Sequence, residues 1–237
     1  MASDRTRFDS IEYTVSGPDD VPVRRSCPTY YERWGDGRPA AQAEFEAAKD
    51  FYDLLPAWVA NLAGTVPPGF GSLRRLVSAG FFVEGATLLH GEGRAMDVDE
   101  VTWANAVIRP KDREHASGDP VRVLRYIGLD AICRRHFPVV LDGWYNADHE
   151  DHIHVERVGT PLLNKRAESA TLFCRATCKL VFGADMAIKG RWDDPLESAM
   201  QDALRRTGVN GDPSTDPEAW RAWLYAVARA ALDGRTL

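Results

Sequence analysis

Two short stretches hold the side chains most able to do chemistry. The first, "HGEGRAMD", carries His90 and Asp97 seven positions apart, with Gly91 and Gly93 between them. The second, "NADHEDHIHVE", carries His149, His152 and His154. Histidine nitrogens and carboxylate oxygens are good ligands for zinc. The glycines let the backbone turn sharply, so His90 and Asp97 can converge despite their separation. One histidine of the second stretch completes a set of three. In a strand, alternate side chains point the same way, so His152 and His154 lie together, with one able to grip a metal while the other stays close. We read His90, Asp97 and His154 as the ligands. Three protein ligands leave a position for water, the arrangement of a catalytic zinc rather than a structural one. The acidic neighbours Glu150, Asp151 and Glu156 are expected to hold the imidazoles in position. His115, in a polar loop, and His136, at a helix end where a cation suits the helix dipole, are left outside the set.

The same residues carry a resemblance. "HGEGRAMD" resembles the HxxGxAxD motif of the LAS metallopeptidases through His90, Gly93, Ala95 and Asp97. That group includes D-Ala-D-Ala carboxypeptidases, murein endopeptidases and the hedgehog zinc domain. "YNADHEDHIHVE" resembles the second signature of the extensin-like C-terminal family, YN-x-x-H-x-D-H-x-H, through Tyr145, Asn146, His149, Asp151, His152 and His154. The resemblance implies zinc on His90, Asp97 and His154, with His152 as the catalytic histidine and His149 supporting it. Arg94, Tyr145 and Asn146 become candidates for substrate binding, with Arg74 and Arg75 as alternatives for a polarising arginine. The chain departs from the family pattern at Leu88, where a serine is common, and at "FFVEG", where a cysteine–arginine pair is common.

The expected activity is therefore that of a zinc metallopeptidase, a murein endopeptidase or carboxypeptidase. It would hydrolyse amide bonds in peptidoglycan peptides with zinc-activated water and a histidine base. A non-catalytic zinc- or cell-wall-binding protein is the alternative. Peptidoglycan is the expected partner, and the protein is expected to act as a monomer.

The elements that must position these residues read as follows. Residues 1–38, with the turn signals "SGPDD" and "GDGRP", read as irregular apart from a short strand at "SIEYTV". Phe45, Ala48, Tyr52, Leu55, Val59 and Leu62 recur at helical spacing, so 39–64 is expected to be helix, divided at Pro56. "LRRLVSAGFFV" and "RAMDVDEVTW" read as strands, the second placing Ala95, Asp97 and Asp99 on one face. "RPKDREHASGD" reads as a polar loop. A helix capped by Asp119 with Pro120 at its start covers "DPVRVLRYIGLDAICRRHF". Two short strands flank the loop in "PVVLDGWYNADHEDHIHVE". The expected fold is α+β, a small antiparallel sheet with flanking helices of the LAS/hedgehog-like type.

A boundary near residue 165 divides the chain into 1–165 and a helical C-terminal domain, 166–237. That domain is expected to hold helices near 168–182, 194–207 and 217–232. "IKGRWDDPLESAM" resembles peptidoglycan-binding-like modules at Gly190 and Trp192, with Asp194 as the next cap. A plain three-helix bundle with Trp220, Trp223 and Leu224 as core is the other reading.

Composition narrows the class. With 29 basic and 35 acidic residues in 237, the net charge of −6 argues against nucleic acid as the main partner. No apolar run is long enough to span a membrane. The first ten residues lack the apolar segment of a secretory signal. The expectation is synthesis in the cytoplasm and action at the cell wall after lysis or delivery by another route. Cys27, Cys133, Cys174 and Cys178 show no metal or redox spacing and read as buried apolar cysteines.

Overall fold

The computed structural model describes residues 4–32, 39–86 and 88–237. Within the expected irregular segment, the described residues 5–31 are largely strand. In "SIEYTVS" the buried residues Ile11 and Tyr13 alternate with exposed ones, the period of a half-buried strand. This strand, β2 (Ser10–Ser16), follows β1 (Arg5–Phe8) and pairs antiparallel with β3 (Pro22–Tyr31). The turn between them needs left-handed backbone at Asp19 and Asp20, residue types that tolerate it. The "GDGRP" turn signal lies, but for Pro39, outside the described residues.

The expected helix over 39–64 begins late. Ala41–Gln42 (β4) pairs with β3, and Phe45–Ala48 (β5) pairs antiparallel with β1. Phe45 and Ala48 fit a helical spacing, but in so short a stretch the partner strand decides. Helix then runs as α1 (Lys49–Tyr52) and α2 (Leu55–Gly64), with Pro56 in the first turn of α2, where its missing N–H costs nothing.

The larger sheet continues through β6 (Leu73–Gly80), β7 (Ala95–Trp103), β8 (Val107–Ile108), β9 (Val139–Leu141) and β10 (Ile153–Glu156). Its order is β2-β3-β6-β7-β10-β9, with β4 on β3 and β8 on β7. The class is α+β, but the sheet is mixed rather than purely antiparallel, because β3 and β6 run parallel. The strand expected over "LRRLVSAGFFV" stops at Gly80. The expected polar loop at 109–119 winds into two short 3-10 turns.

Two faces of the sheet have opposite character. Met96, Val98, Ile153, Val155 and Val140 turn to one side and join the buried core. That core includes α4 (Pro120–His136), whose Asp119 accepts from the Val121 N–H as the expected cap. Asp97, His154, Glu156 and Leu141 turn to the other side, where the candidate site lies.

Past residue 165 come α5 (Glu168–Leu180), α6 (Asp194–Thr207) and α7 (Pro217–Leu232), close to the spans read from the sequence. The cap of α6 is Asp193, not Asp194. Its carboxylate accepts from the Leu196 N–H and also from Arg175. The apolar core continues unbroken from the sheet into these helices. α7 lies along α4 so closely that a Cβ at Gly128 would come within 2.6 Å of Leu232. Trp220 and Trp223 are buried there, and all four cysteines are free and buried, as expected for small apolar side chains. Trp192 is half-buried, donating its indole N–H to Glu197 at 2.7 Å. Among the described residues no helix is long and apolar enough to cross a membrane.

Candidate metal centre

β7 and β10 pair so that His154 stands directly opposite Asp97. Residues opposite each other in antiparallel strands share a face, which brings the imidazole onto the carboxylate. The two meet at 2.8 Å, Nδ1 to Oδ1. His90 reaches the same point from a short helix, α3 (Leu88–Glu92), rather than from a simple turn. Gly93 ends that helix with φ +72° and lies so close to the preceding chain that a Cβ would come within 2.8 Å of Ala48 N. Glycine is required there on both counts. His90 Nε2 lies 3.3 Å from His154 Nδ1 and 3.3 Å from Asp97 Oδ1.

These three atoms form a triangle with edges of 2.8, 3.3 and 3.3 Å. Tetrahedral zinc ligands sit about 3.3–3.6 Å apart, given bonds of about 2.0–2.2 Å. The other ring nitrogens are already committed. His90 Nδ1 donates to the Phe81 carbonyl at 3.0 Å, and a carbonyl can only accept. His154 Nε2 pairs with the Glu156 carboxylate at 3.0 Å. In the neutral rings, therefore, three lone pairs face one another. Only a proton or a cation between them relieves that repulsion, so the residues present fit a divalent metal.

The protonation behaviour has the same cause. Burial opposes the charged form of His154, but the hydrogen bonds and charges of Asp97 and Glu156 outweigh it and lift the pKa to about 9. Burial likewise opposes a charged His90, and Asp97 raises its pKa nonetheless. Burial works against a charged Asp97, yet hydrogen bonds from His154 and His90 hold it well below the usual carboxylate range.

His152 precedes β10 instead of lying within it, so strand alternation does not place it. It still reaches the centre, with Nε2 3.6 Å from Asp97 Oδ1 and Nδ1 held by Asp151 at 2.9 Å. His149 sits in a 3-10 turn, its Nδ1 2.6 Å from Asn146 Oδ1 and its ring 5.6 Å from that of Tyr145. Burial and the neighbouring His152 and His154 push its pKa down. Two triads of donors thus share His154: His90–Asp97–His154 and His149–His152–His154.

Of the three acidic neighbours, Asp151 and Glu156 hold imidazoles, but Glu150 pairs with Arg113 instead. Arg94 is engaged by Asp50 and Glu92, and Arg75 by Glu100. His136 is not a cation at the end of α4. Burial, with Arg135 and Arg221 nearby, lowers its pKa to about 4. Sequence reasoning missed the Phe81 carbonyl, which no motif signals. It also missed the environment of Asp99, an extra residue at a β-bulge, since Val98 pairs with Ser78 and Glu100 with Val77. Burial and the charges of Asp97 and Glu32 raise the Asp99 pKa to about 8.

Glu156 offers a direct test of how the centre is held. Glu156→Gln keeps the shape of the side chain and removes the charge that orients His154. It is expected to weaken zinc binding by about 10- to 100-fold with little change in folding, measured by competition with a chromophoric chelator.

No family model matches the chain, and no solved structure matches it. A curated enzyme is similar in part. The malonyl-[acyl-carrier protein] O-methyltransferase of Marinomonas sp. (strain MWYL1) is 24% identical over 104 residues, covering 42% of this chain and 35% of that protein. The chain thus spans about a third of that relative's length. This similarity corrects the expectation of zinc-dependent hydrolysis of peptidoglycan amides, because the relative is named for methyl transfer and not for a peptidase activity. The physical reason is that two short motifs supply donor side chains, while substrate and reaction depend on the rest of the chain. The coarser expectation, an enzyme, agrees with the similarity.

Proposed function

We propose that this protein is a metal-dependent enzyme, with one divalent cation held by His90 Nε2, Asp97 Oδ1 and His154 Nδ1. Zinc is the first choice for two imidazoles and a carboxylate. The observation that carries the reading is the convergence of three lone-pair donors within 3.3 Å of one another. The spacing shared with LAS metallopeptidases supports the same ligand set. When bound, the cation supplies a Lewis acid that polarises a coordinated oxygen. His152 stands beside the ligand set, with Nε2 3.6 Å from Asp97 Oδ1 and its other nitrogen fixed by Asp151, so it would be the first group able to take a proton there. His149, whose pKa is pushed down by burial and by His152 and His154, is the second group able to accept a proton beside the centre. Asn146 orients His149, and Tyr145 packs on it.

Dialysis of the full chain against zinc, followed by elemental analysis, is expected to return about one equivalent per chain. A chain that comes back without zinc sinks the reading. Methyl transfer is the second reading, favoured by the similarity to the O-methyltransferase. Binding of adenosylmethionine by a chain that takes up no zinc selects it.

The pH dependence follows from His154. Its folded-state pKa, about 9, lies above the ordinary 6.5. In the metal-free protein the pairing with Asp97 and Glu156 therefore contributes its full stability below pH 6.5, and the contribution fades as pH rises through about 9. Zinc must displace that proton, so its apparent affinity rises over the same window and levels off above it. Calorimetric titrations from pH 6 to 9.5 check this; an affinity flat over that range contradicts it.

A further inference from the structure

The register of the sheet extends the site beyond its ligands. At the level of the centre a row of partners runs Gly80, Asp97, His154, Leu141. The adjoining row runs Ala95, Glu156, Val139. Partners in register turn to the same face, so Leu141 and Val139 continue the surface on which His154 and Glu156 stand. Both are only half-buried.

β9 is the edge strand of the sheet. Beyond it, against the first turn of α5, lies a cavity of about 230 Å³. Its walls include Leu141, Val139, Tyr145, Leu162, Ala170 and Trp220. Tyr145 also packs its ring against His149, so cavity and histidines share a wall. Arg134 reaches the cavity but is engaged by Asp130, Asp142 and Ser169, while Asn164 and Glu168 give part of the wall a polar character. A small recess with more apolar than polar wall, beside a polar centre, has the form of a specificity pocket.

We propose that this cavity takes a short apolar group of the substrate, an acyl chain or aliphatic side chain, while the substrate's reacting oxygen lies at the His90–Asp97–His154 centre. The proposal rests on the metal-centre reading above. Its test uses straight-chain hydroxamic acids, which bind zinc through the head and carry an alkyl tail of chosen length. Acetohydroxamate, butyrohydroxamate and hexanohydroxamate are titrated calorimetrically into the zinc-loaded full chain. Affinity is expected to rise about three- to fourfold for each added methylene that the cavity buries.

Leu162→Trp, which fills the cavity from a half-exposed loop position, is expected to erase the gain from the tail and leave acetohydroxamate unchanged. Val139→Ala only enlarges the cavity, and it should weaken hexanohydroxamate selectively. If the three hydroxamates bind the wild-type protein equally well, the pocket is overturned while the metal centre stands. If zinc does not bind, the metal-centre reading fails and this proposal falls with it; if zinc binds and no hydroxamate does, this proposal alone is overturned.

Discussion

Replacing His154 with alanine is expected to remove tight zinc binding, weakening it by more than about 100-fold, beyond the loss for a residue that merely orients a ligand. His154 is the most exacting position in the site. It contacts Asp97 at 2.8 Å and His90 at 3.3 Å, and it is buried, at 8% exposure. It also belongs to both triads, so the effect does not depend on which of them holds the metal. Two further variants make that distinction. His90→Ala should cost nearly as much as His154→Ala, because it removes a corner of the proposed triangle. His149→Ala should retain zinc, because His149 is not a corner of the proposed triangle. Chelator competition on the three variants reads all of this. The opposite order, with His149→Ala losing zinc and His90→Ala keeping it, moves the metal to the other triad.

Arg134→Ala is expected to give the largest loss of stability. Arg134 is buried on α4 with Nε 2.9 Å from Asp130 and Nη2 2.7 Å from Asp142, and it also bonds Ser169 at the start of α5. Burial, with Asp142 alongside, already raises Asp130 well above the ordinary carboxyl range. Removing the guanidinium leaves two buried carboxyl groups without their cation, at a cost of about 3–5 kcal/mol. For a chain of this size that lowers Tm by roughly 6–20 °C. A shift within a degree or two of wild type in thermal denaturation would refute the argument. The network also shapes the site. Asp142 accepts from the Trp144 N–H, and its carbonyl accepts from the Tyr145 N–H, setting the turn that leads to Asn146 and His149. Part of the stability loss should therefore be accompanied by weaker packing of Tyr145 on His149.

The helices were the most legible part of the fold. Asp119–Pro120 and Asp216–Pro217 are local start signals, and each Asp caps its helix through the backbone two residues on. The N-terminal strands were not legible in the same way. Phe45–Ala48 satisfies helical spacing, yet it pairs with Arg5–Phe8, some forty residues away. The parallel pairing of β3 with β6 is equally non-local. No window of sequence reports whether a distant strand is present to supply hydrogen bonds.

The site divides along the same line. Residue chemistry nominated His90, Asp97, His152, His154, Asp151 and Glu156, because imidazole and carboxylate are suited to holding metals and one another. Side-chain type alone could not choose among the acids, and Glu150 went to Arg113 instead. Nor could it free Arg94, whose charge is taken by Asp50 and Glu92.

What the amino-acid order determined by itself was the donor set and the glycine that lets it close. Gly93 can adopt φ +72° and accept the approach of Ala48, a property of the residue alone. What only the tertiary structure decided was the meeting of the donors and what lies beside them. Asp97 and His154 face each other because β7 and β10 settle in one register; a slip of one residue would turn His154 to the opposite face. The same register sets Leu141, one wall of the cavity, next to His154. Register is fixed by the burial of Met96, Val98, Ile153 and Val155 on the other face, a balance summed over the whole sheet and its helices.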